Sequence, residues 1–233
     1  MVRSHRTGQK RQKRQKGKQQ MSAEKNADFL QNARRPQGAD GERMLDMMNE
    51  GHHKILSEWG LSHVEIVSGA EMLDIGCGGG ANLRRLLEKC PDGHVTGVDY
   101  SEVSVRKSIE TNQKAIDDEK CRVLKGDVNQ LPLEAESFDF ITAFETIYFW
   151  PAIEHAFTEV KRVLKKGGTF FICNESDGRE RNSLENAKII RGMVLYTPER
   201  IEELLTAAGF RNIRHYTNPE LSHIAVTAVR PFS

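Results

Sequence analysis

From about residue 70 onward, short apolar runs alternate with stretches of helical periodicity. The runs at 71–75, 94–98, 121–125, 138–144 and 168–173 read as buried strands. Helices are predicted at 80–89, 102–116, 152–164 and 198–208. Leu83, Leu86 and Leu87 mark the inner face of the first, and Ile153, Ala156, Phe157, Val160 and Leu164 that of the third, with Pro151 at its first turn. Strands separated by helices predict a parallel sheet covered on both faces. The end of the chain breaks the pattern. Residues 211–217 and 221–229 read as two strands joined by a turn at Asn218–Pro219, an antiparallel pair added to the parallel sheet.

Ahead of the first strand, Met44, Leu45, Met48, Ile55, Leu56 and Trp59 predict one helix over 44–59, with Gly60 as its stop. His52 and His53 lie on it. Adjacent helical residues point about 100° apart, so one exposed and one packed imidazole are expected, with no shared ligand. Residues 22–40 are polar and read as a helix fragment followed by a loop. Together with the start of the chain they form a tail and linker over 1–40, leaving 41–233 as one domain.

Charge sharpens this division. Eight of the 34 Lys/Arg fall in residues 1–20 without a single acid, so the rest of the chain holds 26 bases against 33 acids, a net of −7. The tail has too few apolar residues to fold alone and reads as a disordered extension, with Met21 a natural beginning. Nucleic acid would find a foothold only on residues 1–20, because the body is acidic. No apolar run approaches the ~18 residues of a membrane span, and the start lacks the core of a secretory signal. Cys77, Cys90, Cys121 and Cys173 show no paired or zinc-type spacing; they read as reduced thiols in a cytoplasmic protein, and no metal is expected.

The candidate chemistry begins at Glu71–Ala81, EMLDIGCGGGA, where a strand runs through Gly76, Gly78, Gly79 and Gly80 into a helix. Such a loop lets a small molecule approach the backbone closely. The Gly-Lys-Ser/Thr ending of a nucleotide-triphosphate loop is absent. Gly76, Gly78 and Ala81 do match G-x-G-x-x-G/A, with Asp99 about 20 residues further on, which keeps a dinucleotide in view. Against that stand Asp74, better placed for a cationic group than for a pyrophosphate, and the closing antiparallel pair.

Five segments in order resemble the class I S-adenosylmethionine-dependent methyltransferases: LDIGCGGG, VDYS at 98–101, GDVNQLPLEAESFDFI at 126–141, KRVLKKGGTFFI at 161–172 and TPERIEELLTAAGF at 197–210. The resemblance implies a Rossmann-like α/β fold, a seven-stranded, mostly parallel sheet with an antiparallel last strand and helices on both faces. It implies S-adenosylmethionine as methyl donor and S-adenosylhomocysteine as product. By analogy Gly76, Cys77, Gly78 and Gly80 pack against the methionine part, with Asp74 near its ammonium. Asp99 accepts from the ribose hydroxyls, and Tyr100 lies on the adenine. Asp127 and the Val128 N–H meet the adenine edge, and Phe144 completes the cofactor site.

Methyl transfer is an in-line displacement at an activated carbon and needs a base only when the acceptor must lose a proton. The acceptor site is expected at FETIYFWP, 144–151, which holds four of the sixteen aromatics. The Asn/Asp-Pro-Pro-Tyr-like motif of base-modifying enzymes is absent there, favouring a small-molecule acceptor over a nucleic-acid base. Glu145, Tyr148 and His155 are the catalytic candidates. The helix at 44–60 and the insertion at 174–197 are candidate lids. An RNA methyltransferase using the tail, or a silent cofactor-binding protein on the same fold, are the alternatives, and the oligomeric state is left open.

Overall fold

A computed structural model of the chain describes residues 27–233; the basic tail, residues 1–20, and Met21 lie outside the described residues. The alternation resolves into one sheet. Its strands are β1 (Glu71–Ile75), β2 (His94–Asp99), β3 (Cys121–Lys125), β4 (Phe138–Phe144), β5 (Leu164–Asn174), β6 (Arg211–Asn218) and β7 (His223–Val229), in the order β3-β2-β1-β4-β5-β7-β6. The first five run parallel, and β7 inserts antiparallel to both β5 and β6. Strand β5 starts earlier than the apolar run predicts. Leu164 pairs with Phe138, and the chain then slips register so that Thr169 pairs with Phe140, the Lys165–Gly168 stretch bulging out.

Side-chain alternation sorts the core into two layers. Leu73, Ile141, Phe170 and Val226 face α5 (Ile153–Val163) and α7 (Pro198–Ala207). Met72, Phe140, Phe171 and Ala225 face α2 (His52–Leu61), α3 (Ala81–Lys89) and α4 (Glu102–Asp117). The helical periodicities predicted for α3, α4, α5 and α7 therefore correspond to real buried faces. A further helix, α6 (Arg181–Ile189), lies between β5 and α7 and is largely exposed.

The helix predicted over 44–59 is two helices. Helix α1 (Gly38–Asn49) begins earlier than expected, and α2 follows after a break at Glu50–Gly51, where Gly51 takes φ +65°. Gly60 is not a stop. It lies inside α2, buried against β5, where an added Cβ would stand 2.5 Å from Cys173 Sγ and 3.1 Å from Phe171 Cζ. The missing side chain lets α2 lie close on the sheet. Nor does the division at residue 40 mark an edge, because residues 31–36 form a strap hydrogen-bonded to the body.

Alanine at position 60 raises helix propensity by roughly 1 kcal/mol but overpacks this contact by about 1–3 kcal/mol. Gly60→Ala is therefore expected to lower stability in urea denaturation; an unchanged or raised midpoint would refute the tight α2–β5 packing.

Candidate functional site

Strand order reverses between β1 and β4: from β1 the sheet grows towards β2 and β3 on one side and towards β4 and β5 on the other. In open α/β sheets such a switch point leaves a crevice beyond the carboxyl ends of the strands. A cavity of about 280 Å³ lies there, floored by the ends of β1, β2 and β4 and roofed by α1, α2 and the strap. Among the residues proposed from sequence, Gly76, Cys77, Gly78, Asp99, Tyr100, Asp127, Val128, Phe144 and Glu145 all line it.

The glycine loop is folded against the sheet rather than held open. Gly76 N–H and Cys77 N–H both donate to the Val98 carbonyl, at 2.7 and 3.1 Å. Gly78 N–H donates to Asp99 Oδ2 at 3.0 Å, and Gly80 N–H to the Cys77 carbonyl at 2.9 Å. Four of the N–H groups that could cradle a phosphate are thus already satisfied. Gly76 has φ +80°, and a Cβ there would lie 2.4 Å from Thr146 Cγ2, so only glycine lets the loop pass the β4 turn. Gly80 does not line the cavity; it turns the chain into α3 at φ +83° against Ser108 and Asn112.

Asp99 is 7% exposed. Its second oxygen accepts from Ser101 N–H at 2.8 Å, and burial pushes its carboxyl up while these donors hold it down. Asp127 is exposed and holds a turn, with Oδ1 accepting from the Asn129 backbone and side chain at 2.8 and 3.1 Å. Tyr100 donates its hydroxyl to the Arg34 carbonyl at 2.5 Å, and the Arg35 guanidinium lies 5.5 Å from its ring centre. Cys77 is buried, which pushes its thiol up and keeps it protonated.

Four expectations need correction. Asp74, expected beside a cationic group, does not line the cavity. It points along the sheet to accept from Thr142 Oγ1 at 2.7 Å, and burial raises its pKa to about 7. Tyr148 is buried behind the wall and touches the site only by donating to Glu145 at 3.2 Å. His155 sits on the surface of α5 with Nε2 3.0 Å from the Asn129 carbonyl, away from the cavity. The 174–197 insertion contributes no lining residue. It instead holds the strap: Gln31 bonds to Ile189 and Arg191, and Arg34 donates to the Arg191 carbonyl at 3.1 Å.

Glu145 lines the cavity next to Thr146, Phe149 and Trp150, at φ +58° in the left-handed region. It accepts from Tyr148 and from the Glu175 backbone N–H, and burial pushes its carboxyl well above the usual range.

Sequence reasoning missed Arg85. It lines the cavity 8% exposed, bonding only to Asn82 Oδ1 at 2.7 Å and the Asn49 carbonyl at 3.3 Å, and no carboxylate pairs with it among the described residues. On α3 it reads as one of two adjacent surface arginines, and only the packing of α1 buries it. His53 was also set aside, yet it lines the cavity beside His52; burial, then the neighbouring His52 and Arg85, lower its pKa to about 4.

Fold and cavity together define a Rossmann-like small-molecule-binding domain with its site at the switch point. Residues 73–172 match a family described as a methyltransferase domain. The chain is 33% identical over 166 residues to sterol 24-C-methyltransferase ERG6B of Gibberella zeae, an alignment covering 66% of this chain and 43% of that protein. A Haloferax volcanii methyltransferase solved in complex with the Trm112 methyltransferase activator superposes with TM-score 0.73 at 20% identity, covering 82% of this chain and 95% of that one. Haemonchus contortus phosphoethanolamine N-methyltransferase 2, solved with phosphomonomethylethanolamine and S-adenosylhomocysteine, superposes with TM-score 0.66 at 20% identity, covering 75% and 52%. Residues 73–172 are thus a methyltransferase domain, set in the fold of solved S-adenosylmethionine-dependent methyltransferases. It spans about two-fifths of the length of the curated relatives it matches.

Asp74 makes native stability pH-dependent. Its pKa is about 7 when folded against 3.8 as a free side chain, so between these values the native state binds more protons than the unfolded one. Stability therefore falls as pH rises from 4 to 7 and levels off above. Asp74→Asn keeps the Thr142 bond and removes the fall. At pH 8 it is expected to be more stable than the parent by up to about 4 kcal/mol, with the gain vanishing near pH 4. Urea denaturation at both pH values checks this, and a variant less stable at pH 8 would contradict it.

Proposed function

We propose that this chain binds S-adenosylmethionine in the cavity and transfers its methyl group to a small-molecule acceptor, releasing S-adenosylhomocysteine. The observation that carries the reading is the pairing of Asp99 with a glycine loop whose N–H groups are already used. Such a loop offers little to a pyrophosphate, whereas a buried carboxylate on the cavity wall suits a ribose diol. Tyr100 and the strap enclose the adenosine end, with Asp127 and Val128 at the base's edge. Among the described residues no side chain or backbone N–H donates to the Gly76 carbonyl, which leaves that oxygen for the ammonium. Arg85 is the buried cation of the cavity lining and holds the methionine carboxylate.

The names of the relatives, sterol and phosphoethanolamine methyltransferases, support a small-molecule acceptor. It enters between Glu145, Phe149 and Trp150 on one side and α1 and α2 on the other, the two helices acting as the lid. In-line placement of acceptor and methyl supplies much of the acceleration, an effect worth up to ~7–11 kcal/mol. Glu145 is the group placed to take a proton from the acceptor. Four free, buried thiols suit a cytoplasmic setting, and no described helix is long and apolar enough to cross a membrane.

Calorimetry is expected to give S-adenosylhomocysteine binding and no NAD binding; NAD binding alone sinks the reading. Asp99→Ala removes two hydrogen bonds to a charged acceptor and should weaken S-adenosylhomocysteine about 100-fold or more. Arg85→Met should abolish the preference for S-adenosylhomocysteine over its decarboxylated analogue, and a preserved preference would remove Arg85 from the carboxylate site. Glu145→Gln is expected to leave S-adenosylhomocysteine affinity unchanged. The same variant should slow labelled-methyl incorporation from a metabolite extract about 10²–10⁴-fold, and an undiminished rate would exclude Glu145 as the base.

A further inference from the structure

One side-chain cluster at the acceptor end has no part in cofactor binding. Gly51 caps α2, so His52 and His53 are its first two residues. Contrary to the divergence expected of neighbours on a helix, their rings lie side by side, with centroids 4.3 Å apart and planes tilted by 31°. Facing them is Glu175, immediately after β5. Its backbone N–H is given to Glu145, and its carboxylate reaches across to His52 Nε2 at 3.0 Å. One ligand-capable atom from each of His52, His53 and Glu175 lies within 4.8 Å of the other two.

Those separations fit a metal ion. Two ligands on a tetrahedral ion with bonds of about 2.0–2.1 Å stand roughly 3.3 Å apart. His52 and Glu175 are already close to that spacing. His53 has at most about 1.5 Å to close, within reach of a side-chain rotation. Two imidazoles and one carboxylate form the donor set of a borderline divalent ion, and three protein ligands leave one position open. His53 lines the cavity, so an ion held by the three would sit at its rim.

We infer that His52, His53 and Glu175 form a binding site for a divalent ion of the zinc type at the mouth of the acceptor pocket. The site does not depend on methyl transfer, and its test reads the metal directly. The full chain, stripped with a chelator, is titrated with Co²⁺ while visible absorption is followed. Zn²⁺ affinity is then measured by competition with a coloured chelator. One equivalent is expected, with a tetrahedral Co²⁺ spectrum that Zn²⁺ abolishes. His53→Ala and Glu175→Gln should each weaken Zn²⁺ at least about tenfold while the circular-dichroism melt shows them folded. His63→Ala, at an imidazole stacked on Tyr216 outside the cluster, should leave Zn²⁺ affinity unchanged. Should either cluster variant prove unfolded, Glu175→Asp serves in its place. A chain that takes up no Zn²⁺, or whose uptake is indifferent to the cluster variants, overturns the proposal.

Discussion

The Asp99 carboxylate, at the end of β2, is the point on which the site is built. One oxygen holds Gly78, and the other holds Ser101 at the start of α4. The preceding carbonyl, on Val98, receives Gly76 and Cys77. Two residues of β2 thus fix both the turn that launches α3 and the turn that launches α4. One end of the cavity is the space between those two turns. A buried charge is tolerable there only because backbone donors surround it. The same donors leave it able to accept two more hydrogen bonds from a diol.

The opposite wall obeys a steric constraint. Thr146 fills the place where any side chain on residue 76 would go, and its hydroxyl donates to the Ile75 carbonyl at 3.1 Å. Loop and β4 turn therefore interlock across the switch point. On the far side the absence of a side chain at Gly60 brings α2 down onto β5, which carries His53, Leu56 and Ser57 to the cavity. Backbone proximity, gained at two glycines by different means, narrows the crevice at the switch point into a partly open cavity.

Much of this was legible in the sequence because it follows from local rules. Apolar runs and helical faces marked the central strands and helices, and residues at strand ends became cavity lining because strand ends are where an α/β sheet opens. Glu145, just past the end of β4, is of that kind, whereas Asp99, Asp127, Val128 and Phe144 were reached through the resemblance of their segments to the methyltransferase motifs. What escaped depends on contacts between distant segments. Asp74 alternates into the sheet and finds Thr142, its register partner on β4, which no pattern around residue 74 reveals. Arg85 looks like a solvated helix charge until the end of α1 is laid over it. Apolar positions on both sides of 49–54 share one helical phase and read as a single helix, while Gly51 alone carried the signal that the helix divides.

The strap at 31–36 carries one more consequence. Its carbonyls take the Tyr100 hydroxyl and Ser101 Oγ, the latter at 2.8 Å from Pro36, while its side chains hold the chain at 189–191 on the other flank. Val194, a few residues on, donates its N–H to the Tyr148 carbonyl, in the wall behind Glu145. The end of the cavity at Tyr100 and the wall behind Glu145 are therefore laced by a single thread. On the proposed reading, a strap that lifted to release a nucleoside would draw on the wall that bounds the acceptor.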